Sequence, residues 1–425
     1  MLEIRKCVVI VLLLCVNSIK CEIDDGSKQG QLVFAHVIYR HGDRTPVDPY
    51  PNDPYKDRKY WEEGYGQLTN VGKEQHYQLG QFFRKRYRKL LENGNYLRDF
   101  IYVQSTDVDR TLMSAESNLA GLFPPEGNQI WDNQIKWQPV PIHTIPEQLD
   151  GVLASKRPCA RYTMAAKKYQ KSQEFQDLLN KYKSLFQYLE QNSGTSIKTL
   201  DDAQYLYNTL WIENLKNYTL PEWTKKIFPG GDLQWVADRS FQVQTNTPEL
   251  ARLKSGFLLR EMLDRFDQKI ASKLNPDRGV WVYSAHDTTV ANILNSLQLF
   301  EPPRSPPYTA TVLFELYKKG DSYYIEIFYK NSTNENLSPL NMPTCGVRCS
   351  IRDFRRIYET VIPTESFEKE CEVSLLSLTY EEVEYRGLDG SWLALTLLLL
   401  VVLAIVLMAW KMFQQERNMR WYHRI

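Results

Sequence analysis

The stretch Leu32 to Pro46, L-V-F-A-H-V-I-Y-R-H-G-D-R-T-P, carries an apolar run straight into a cluster of charge. Leu32 to Tyr39 predicts a strand, and the charge begins at Arg40. Arg40 and Arg44 flank His41, while Gly42 and Pro46 turn the backbone out of the sheet. Guanidinium groups offer planar paired donors that match phosphate oxygens, and imidazole is the side chain whose charge changes near neutral pH. The segment therefore predicts an anion site that holds a nucleophile.

Two later stretches have the same design. Phe100 to Val103 is apolar and leads through S-T-D-V-D-R to Arg110 and a helix expected from Thr111 to Leu122. A cation at a helix start opposes the helix dipole unless it has an anion to hold, and that N-terminus would itself attract phosphate. Gly279 to Ala285, G-V-W-V-Y-S-A, is a buried-type strand ending at His286-Asp287, before a helix expected from Thr288 to Leu299. In an open α/β sheet ligands bind beyond the carboxyl ends of the strands, so the three junctions are expected to converge on one pocket.

The remaining segments fill in around this frame. Residues 47–67, rich in proline and aromatic side chains, predict a loop over the site. Thr69 caps an expected helix with Val71, Leu79, Phe82, Phe83, Tyr87 and Leu90 on its apolar face and His76 half-exposed. Trp137 to Ile145 predicts an edge strand interrupted by prolines, in which His143 has a structural place. From Lys156 to Leu274 the spacing turns helical, and the last helix, opened by Thr247 and Pro248, is expected to bury Leu250, Leu253, Phe257, Leu258, Leu263, Phe266 and Ile270. Thr309 to Tyr317 and Ser322 to Tyr329 predict a hairpin, and Ile351 to Ile362 a helix.

At the N-terminus, Arg5 and Lys6 precede an apolar run from Cys7 to Val16, the form of a signal peptide, here bounded at 1–21. Trp392 to Trp410 is apolar throughout, about the ~20 residues of a bilayer-spanning helix, and is assigned to a membrane helix over 391–410. Lys411, Arg417, Arg420 and Arg424 follow it and only Arg386 closely precedes it, so the 411–425 tail is expected in the cytosol. The balance of 52 basic and 51 acidic residues suits no nucleic-acid partner. Cys7, Cys15 and Cys21 fall in the signal region; Cys159, Cys345, Cys349 and Cys371 remain in an oxidising space, with three pairings open. No C-x-x-C pair is present to favour a metal. Asn217, Asn331 and Asn336 begin glycosylation sequons. Tyr422 and Ile425 have the tyrosine-x-x-apolar spacing that resembles signals read by clathrin adaptors through strand addition.

The R-H-G-D-R-T-P segment, together with S-A-H-D-T-T, W-Q-P-V-P-I-H-T-I-P and C-G-V-R-C, resembles the histidine acid phosphatases over nearly the whole segment between signal and anchor. The resemblance implies an α/β fold, a mostly parallel open sheet with flanking helices (22–155 and 275–372), carrying an inserted helical domain (156–274) and followed by a stalk (373–390). It makes His41 the nucleophile that becomes phosphohistidine, Arg40, Arg44, Arg110 and His286 the phosphate cradle, and Asp287 the proton donor to the leaving alcohol. It also implies disulfides Cys159–Cys371 and Cys345–Cys349, a homodimer, no cofactor and an acidic, lysosomal or endosomal setting. The family's soluble members carry a further cysteine pair in the helical domain, which this chain lacks. Two rivals stand beside a broad phosphomonoesterase: the same fold narrowed to inositol phosphates or lysophospholipids, and a non-catalytic receptor or adhesion ectodomain.

Overall fold

Among the described residues, eight strands, β1 (Gln31–Arg40), β2 (Ile101–Thr106), β3 (His143–Ile145), β4 (Val280–Ala285), β5 (Thr311–Lys319), β6 (Ser322–Lys330), β7 (Leu337–Pro339) and β8 (Arg348–Ser350), form one sheet. Its order is β3-β2-β4-β1-β5-β6-β7, with β8 paired to β6. The computed structural model describes residues 30–373 and 390–422. Pairing is parallel across β3-β2-β4-β1 and antiparallel from β1 through β5 to β6, β7 and β8.

β1 lies in the interior of the sheet, which explains why its sequence is apolar without alternation: strands covered by helices on both faces bury both sets of side chains. Phe34 and Ile38 join one core, while Ala35, Val37 and Tyr39 join the core on the opposite face. On the latter face lie α1 (Asn70–Arg86) and α2 (Asp109–Leu122). Thr69 Oγ1 caps α1 by accepting from Gly72 N at 3.2 Å. The two helices meet backbone to backbone at Gly80 and Gly121, where an added Cβ would collide with the carbonyls of Asn118 and Tyr77.

The helical segment contains α3 (Ala160–Gln170), α4 (Gln173–Lys181), α5 (Lys183–Ser193), α6 (Leu200–Leu215), α7 (Asp232–Val243) and α8 (Pro248–Lys254). These pack around a separate core containing Phe186, Leu189, Leu206, Leu210 and Val236, into which Tyr50 of the 47–67 loop also inserts. The single long helix expected after Pro248 is broken at Ser255, and its second half, α9 (Gly256–Ile270), packs on the sheet through Leu258, Met262, Leu263 and Phe266. Gly256 marks the break, where a Cβ would press on Val361 O and Pro363. Next to α9 on that face is α10 (Asp287–Ser296). Short helices α11 (Ile351–Ile357) and α12 (Phe367–Cys371) follow.

Several expected boundaries move. The strand expected over Trp137 to Ile145 pairs only at His143–Ile145, because Pro139 and Pro141 supply no backbone N–H to a ladder. α11 stops at Ile357, where the chain turns and Val361 N and Ile362 N both donate to Tyr358 O at 2.9 Å. α2 begins at Asp109, so Arg110 sits in its first turn rather than before it.

Cys159–Cys371 and Cys345–Cys349 both form disulfides, the first across a sequence separation of 212. Asn217 and Asn336 are exposed, and Asn331 is half-buried against Tyr329 and Glu335. A last helix, α13 (Gly390–Tyr422), contains a 19-residue apolar span, Leu395–Phe413, none of it buried against the other described residues. It is long and apolar enough to cross a membrane. Tyr422 is the last described residue of that helix, so the backbone reaching it is helical rather than extended. Ile425 and the signal-peptide region lie outside the described residues.

Candidate active site

The register of the parallel strands brings the three junctions together. Arg40 pairs with Ala285 across β1 and β4, and Ser105 with Ser284 across β2 and β4. His41 N donates to Ala285 O at 3.0 Å, continuing the β1–β4 ladder one residue past the strand. Beyond His41 the chain is clamped against the start of α1. Gly42 and Gly72 lie so close that a Cβ on either would strike the other's backbone neighbourhood. Thr69 N donates to Asp43 O at 3.0 Å, and Gly42 N to Ser114 Oγ of α2 at 3.1 Å.

This clamp fixes the chemistry of His41. Its Nδ1 lies 2.8 Å from Gly42 O. A carbonyl can only accept, so Nδ1 carries the proton and the lone pair of the neutral ring is on Nε2. The ring is buried, 2 % exposed. Burial first, and then the charges of Arg40, Arg110 and Arg44, hold its pKa well below the ordinary histidine value. It stays neutral, and so nucleophilic, into acidic solution.

Around it lie guanidinium donors that protein groups do not satisfy. Arg40 donates through Nη1 to Pro306 O and its guanidinium stacks over the Tyr308 ring at 4.5 Å. Arg44 is held by Thr45 O at 3.0 Å and by Asn208 Oδ1 of α6 at 2.8 Å. Among the described residues, Arg40 Nε, Arg44 Nε and Arg110 Nε are buried with no hydrogen-bond partner. Buried donors are rarely left unpaired, and three on neighbouring arginines mark a site built for an anion. Burial, with Arg44 and Arg40 nearby, lowers the Arg110 pKa to about 10, which still leaves it cationic.

Asp287 and His286 complete the ring from the N-terminus of α10. Asp287 Oδ2 is 2.8 Å from Arg40 Nη2, an ion pair without hydrogen-bond alignment, and Oδ1 accepts from Thr288 N at 2.8 Å. Burial pushes its pKa up, but Arg40, Arg44 and His286 together outweigh burial, and the carboxyl ends below its usual range. His286 Nε2 is 3.0 Å from Thr106 Oγ1 at the end of β2, and its ring centroid is 5.8 Å from that of His41. Burial and Arg110 lower its pKa to about 3.

The structure thus brings His41, Arg44, Arg110, His286 and Asp287 to one cleft of about 270 Å³, with Arg40 packed behind them. His76, expected half-exposed, is fully buried; its Nε2 donates to Arg40 O at 3.1 Å, and its ring lies 4.9 Å from Tyr39. The buried face of α1 is Gly72, His76, Leu79, Gly80 and Phe83, and Val71 faces outward. The i, i+4, i+7, i+11 spacing from Gly72 was the available signal, obscured because glycine and histidine do not read as apolar. His143 has a structural place, stacked on Tyr102 at 4.4 Å in the edge strand. Sequence reasoning missed Asn208, Thr106, Ser114 and Tyr308. Lys216 was missed too; its Nζ reaches Asp43 Oδ2 at 3.0 Å from the end of α6.

A family model described as the histidine phosphatase superfamily (branch 2) matches residues 31–330. The chain belongs to this superfamily. Lysosomal acid phosphatase from Xenopus laevis is 37% identical over 383 residues, covering 88% of this chain and 86% of the relative. Human prostatic acid phosphatase is 39% identical over 345 residues, covering 80% of this chain and 88% of the relative. Among solved structures, a phytase from Klebsiella sp. shares the fold with a TM-score of 0.59 at 18% identity, covering 82% of this chain and 99% of the other. The superfamily match spans the whole segment from β1 to β6, so the strand-end cleft and the helical insertion both lie inside it.

Proposed function

We propose that this protein is an acid phosphatase that hydrolyses phosphate monoesters through a phosphohistidine on His41, without a metal or cofactor. The observation that carries the reading is the meeting of a neutral, buried His41 Nε2 with unpartnered guanidinium donors and Asp287 at the ends of three parallel strands. Acid phosphatases among the relatives support it and do not favour a receptor or adhesion role.

Phosphoryl transfer needs positive donors around the equatorial oxygens, an in-line nucleophile and a proton for the leaving oxygen. Arg44, Arg110 and His286, which line the cleft, hold the phosphoryl oxygens, and Arg40, packed behind them with its Nε unpartnered, adds its charge to the cradle. His41 Nε2 bonds to phosphorus as the ester P–O bond breaks, and Asp287 gives its proton to the leaving oxygen. Water then attacks phosphorus, its proton passes to the Asp287 carboxylate, and the N–P bond breaks to release phosphate. Asp287 is ionised in the free site, so its proton arrives with the substrate. A phosphate monoester has its second pKa near ~6 and brings one proton below that pH, which gives the reaction an acidic optimum. Turnover of labelled ester by the detergent-solubilised chain, quenched in alkali, should leave label on His41; full hydrolysis by His41→Ala would overturn the assignment.

The same reading places the cleft in the lysosomal or endosomal lumen, with α13 crossing the membrane once and the tail cytosolic. Glycans at Asn217, Asn331 and Asn336 fit that topology. Tyr422 and Ile425 would engage a clathrin adaptor, and since the backbone reaching Tyr422 is helical, strand addition there requires the last turn to unwind. A homodimer is supported by the open edge at β3, flanked by the exposed Trp131, Trp137, Ile145 and Leu149. Sedimentation of Trp137→Glu against wild type tests it, and Tyr422→Ala with surface biotinylation tests the tail.

A further inference from the structure

Besides the arginines, two lysines line the cleft. Lys254, the last residue of α8, and Lys156, in the loop that enters α3, both line the cavity that holds His41 and Asp287. Lys254 is half-buried and Lys156 exposed. Among the described residues, neither has a carboxylate within ion-pair distance. Glu147 lines the cleft but acts on Arg110, and Asp201, exposed on α6, influences Lys254 only through space. A half-buried ammonium beside a second cation, with no ion-paired carboxylate, is a place where a ligand anion would be favoured.

Lys254 is also fixed in place. Its Nζ donates to Ser155 O at 3.2 Å and lies 5.3 Å from the centre of the Tyr162 ring. Ser155 Oγ donates back to Lys254 O at 2.9 Å. Tyr162 OH in turn donates to Gln244 O at 3.0 Å. Ser155 has a φ of 52°, a left-handed conformation that a residue with a Cβ adopts at some cost. The surroundings thus hold the ammonium in one position while using a single one of its three donors. Burial, and then Lys156, lower the Lys254 pKa to about 8, and at the acidic pH of the reaction it remains charged.

We propose that Lys254, assisted by Lys156, forms a second anion subsite in the cleft, so that the preferred substrates are phosphate monoesters carrying a second anionic group. The inference rests on the phosphatase reading of the same cleft and adds the substrate class. One phosphate would occupy the arginine cradle while the far anion takes the free donors of Lys254.

The test uses matched pairs that differ only in the second anion: alkyl phosphates against α,ω-alkanediol bisphosphates of four, six and eight carbons, on the detergent-solubilised full chain at acid pH. The readout is the ratio of kcat/KM, bisphosphate over monophosphate. In the wild type this ratio should exceed the statistical factor of two for at least one chain length, mainly through KM. A charge-assisted hydrogen bond contributes enough that Lys254→Met should lower the ratio about tenfold, and Lys254→Arg should restore most of it. Lys156→Met, at an exposed position, gives a second variant whose folding is not in question, with a smaller fall expected. A ratio unchanged in both Met variants, with the alkyl phosphate still hydrolysed, sinks the subsite alone. Failure of the wild type to hydrolyse either ester sinks the phosphatase reading and the subsite with it.

Discussion

Gly72→Ala is expected to damage catalysis although Gly72 touches no substrate. The residue lies in the first turn of α1, where the backbone of the catalytic turn rests directly on it. A Cβ there would lie 2.7 Å from Asp43 N and from Leu68 Cδ1, and closer still to Asp43 O, whereas ordinary contact begins at 3.4 Å. Leucine can rotate away; the Asp43 peptide cannot, because Asp43 O accepts from Thr69 N and Asp43 N donates to Gln75 Oε1. To clear Asp43 O, either α1 or the 41–44 turn must move by about 1 Å, and displacements near 1 Å at a reacting centre cost up to ~100-fold in rate. A loss of about 10- to 100-fold in kcat/KM, or about 1.4 to 2.7 kcal/mol of transition-state stabilisation, is therefore expected. Overpacking should also lower stability by ~1–3 kcal/mol. The assay is steady-state hydrolysis of p-nitrophenyl phosphate with circular dichroism to confirm folding. Gly230→Ala is the control, since its Cβ would meet only Gln234 Oε1 at 3.9 Å. A folded Gly72→Ala protein with wild-type kcat/KM would refute the idea that this contact sets the position of His41.

Three further outcomes are expected. Asp287→Ala should slow an alkyl phosphate far more than a p-nitrophenyl ester, because a proton donor matters most to a poor leaving group; equal losses would count against the role. Glu213 of α6 is fully buried, and burial together with the charge of Asp53 in the 47–67 loop holds its carboxyl above the usual range. The folded state therefore keeps a proton that the unfolded chain releases, so stability falls as pH rises above the ordinary glutamate range; Glu213→Gln should flatten the decline of Tm between pH 5 and pH 8, and an unaltered slope would exclude the pair as its source. Replacing Cys159 and Cys371 by serine opens a loop with a sequence separation of 212, for which chain entropy gives an upper figure of about 5 kcal/mol, read as a fall in the denaturant midpoint.

Much of the frame was legible along the sequence. β1, β2 and β4 showed themselves because each is a short apolar run ending abruptly in charge, and the three charged ends identified the groups that now share a cleft. The hairpin of β5 and β6 was legible from its apolar runs, although β5 runs on to Lys319, which pairs with Ser322 and leaves only Gly320-Asp321 between the strands. The short strands β7 and β8 were not, since three residues carry no period to detect. His76 was misread because its helix buries glycine and histidine on the face where an apolar pattern is sought. The break at Ser255 was missed because the apolar positions on either side of it keep a helical spacing, although Leu250 of α8 enters the core of the helical segment while α9 packs on the sheet.

The sequence by itself determined which chemical groups the site contains, because strand ends, turn-forming glycines and helix starts are specified within a few residues of His41, Arg110 and Asp287. The tertiary structure decided how those groups act. Asn208 reaches Arg44 across 164 residues, Thr106 reaches His286 across 180, and Arg40 reaches Pro306 across 266. Such partners are chosen by sheet register and helix packing, to which local preference is blind. The proton on His41 Nδ1 is the smallest case: a turn beginning at Gly42 can be read from the sequence, but only its clamping against Gly72 and Ser114 aims the Gly42 carbonyl at the ring and leaves the lone pair on Nε2.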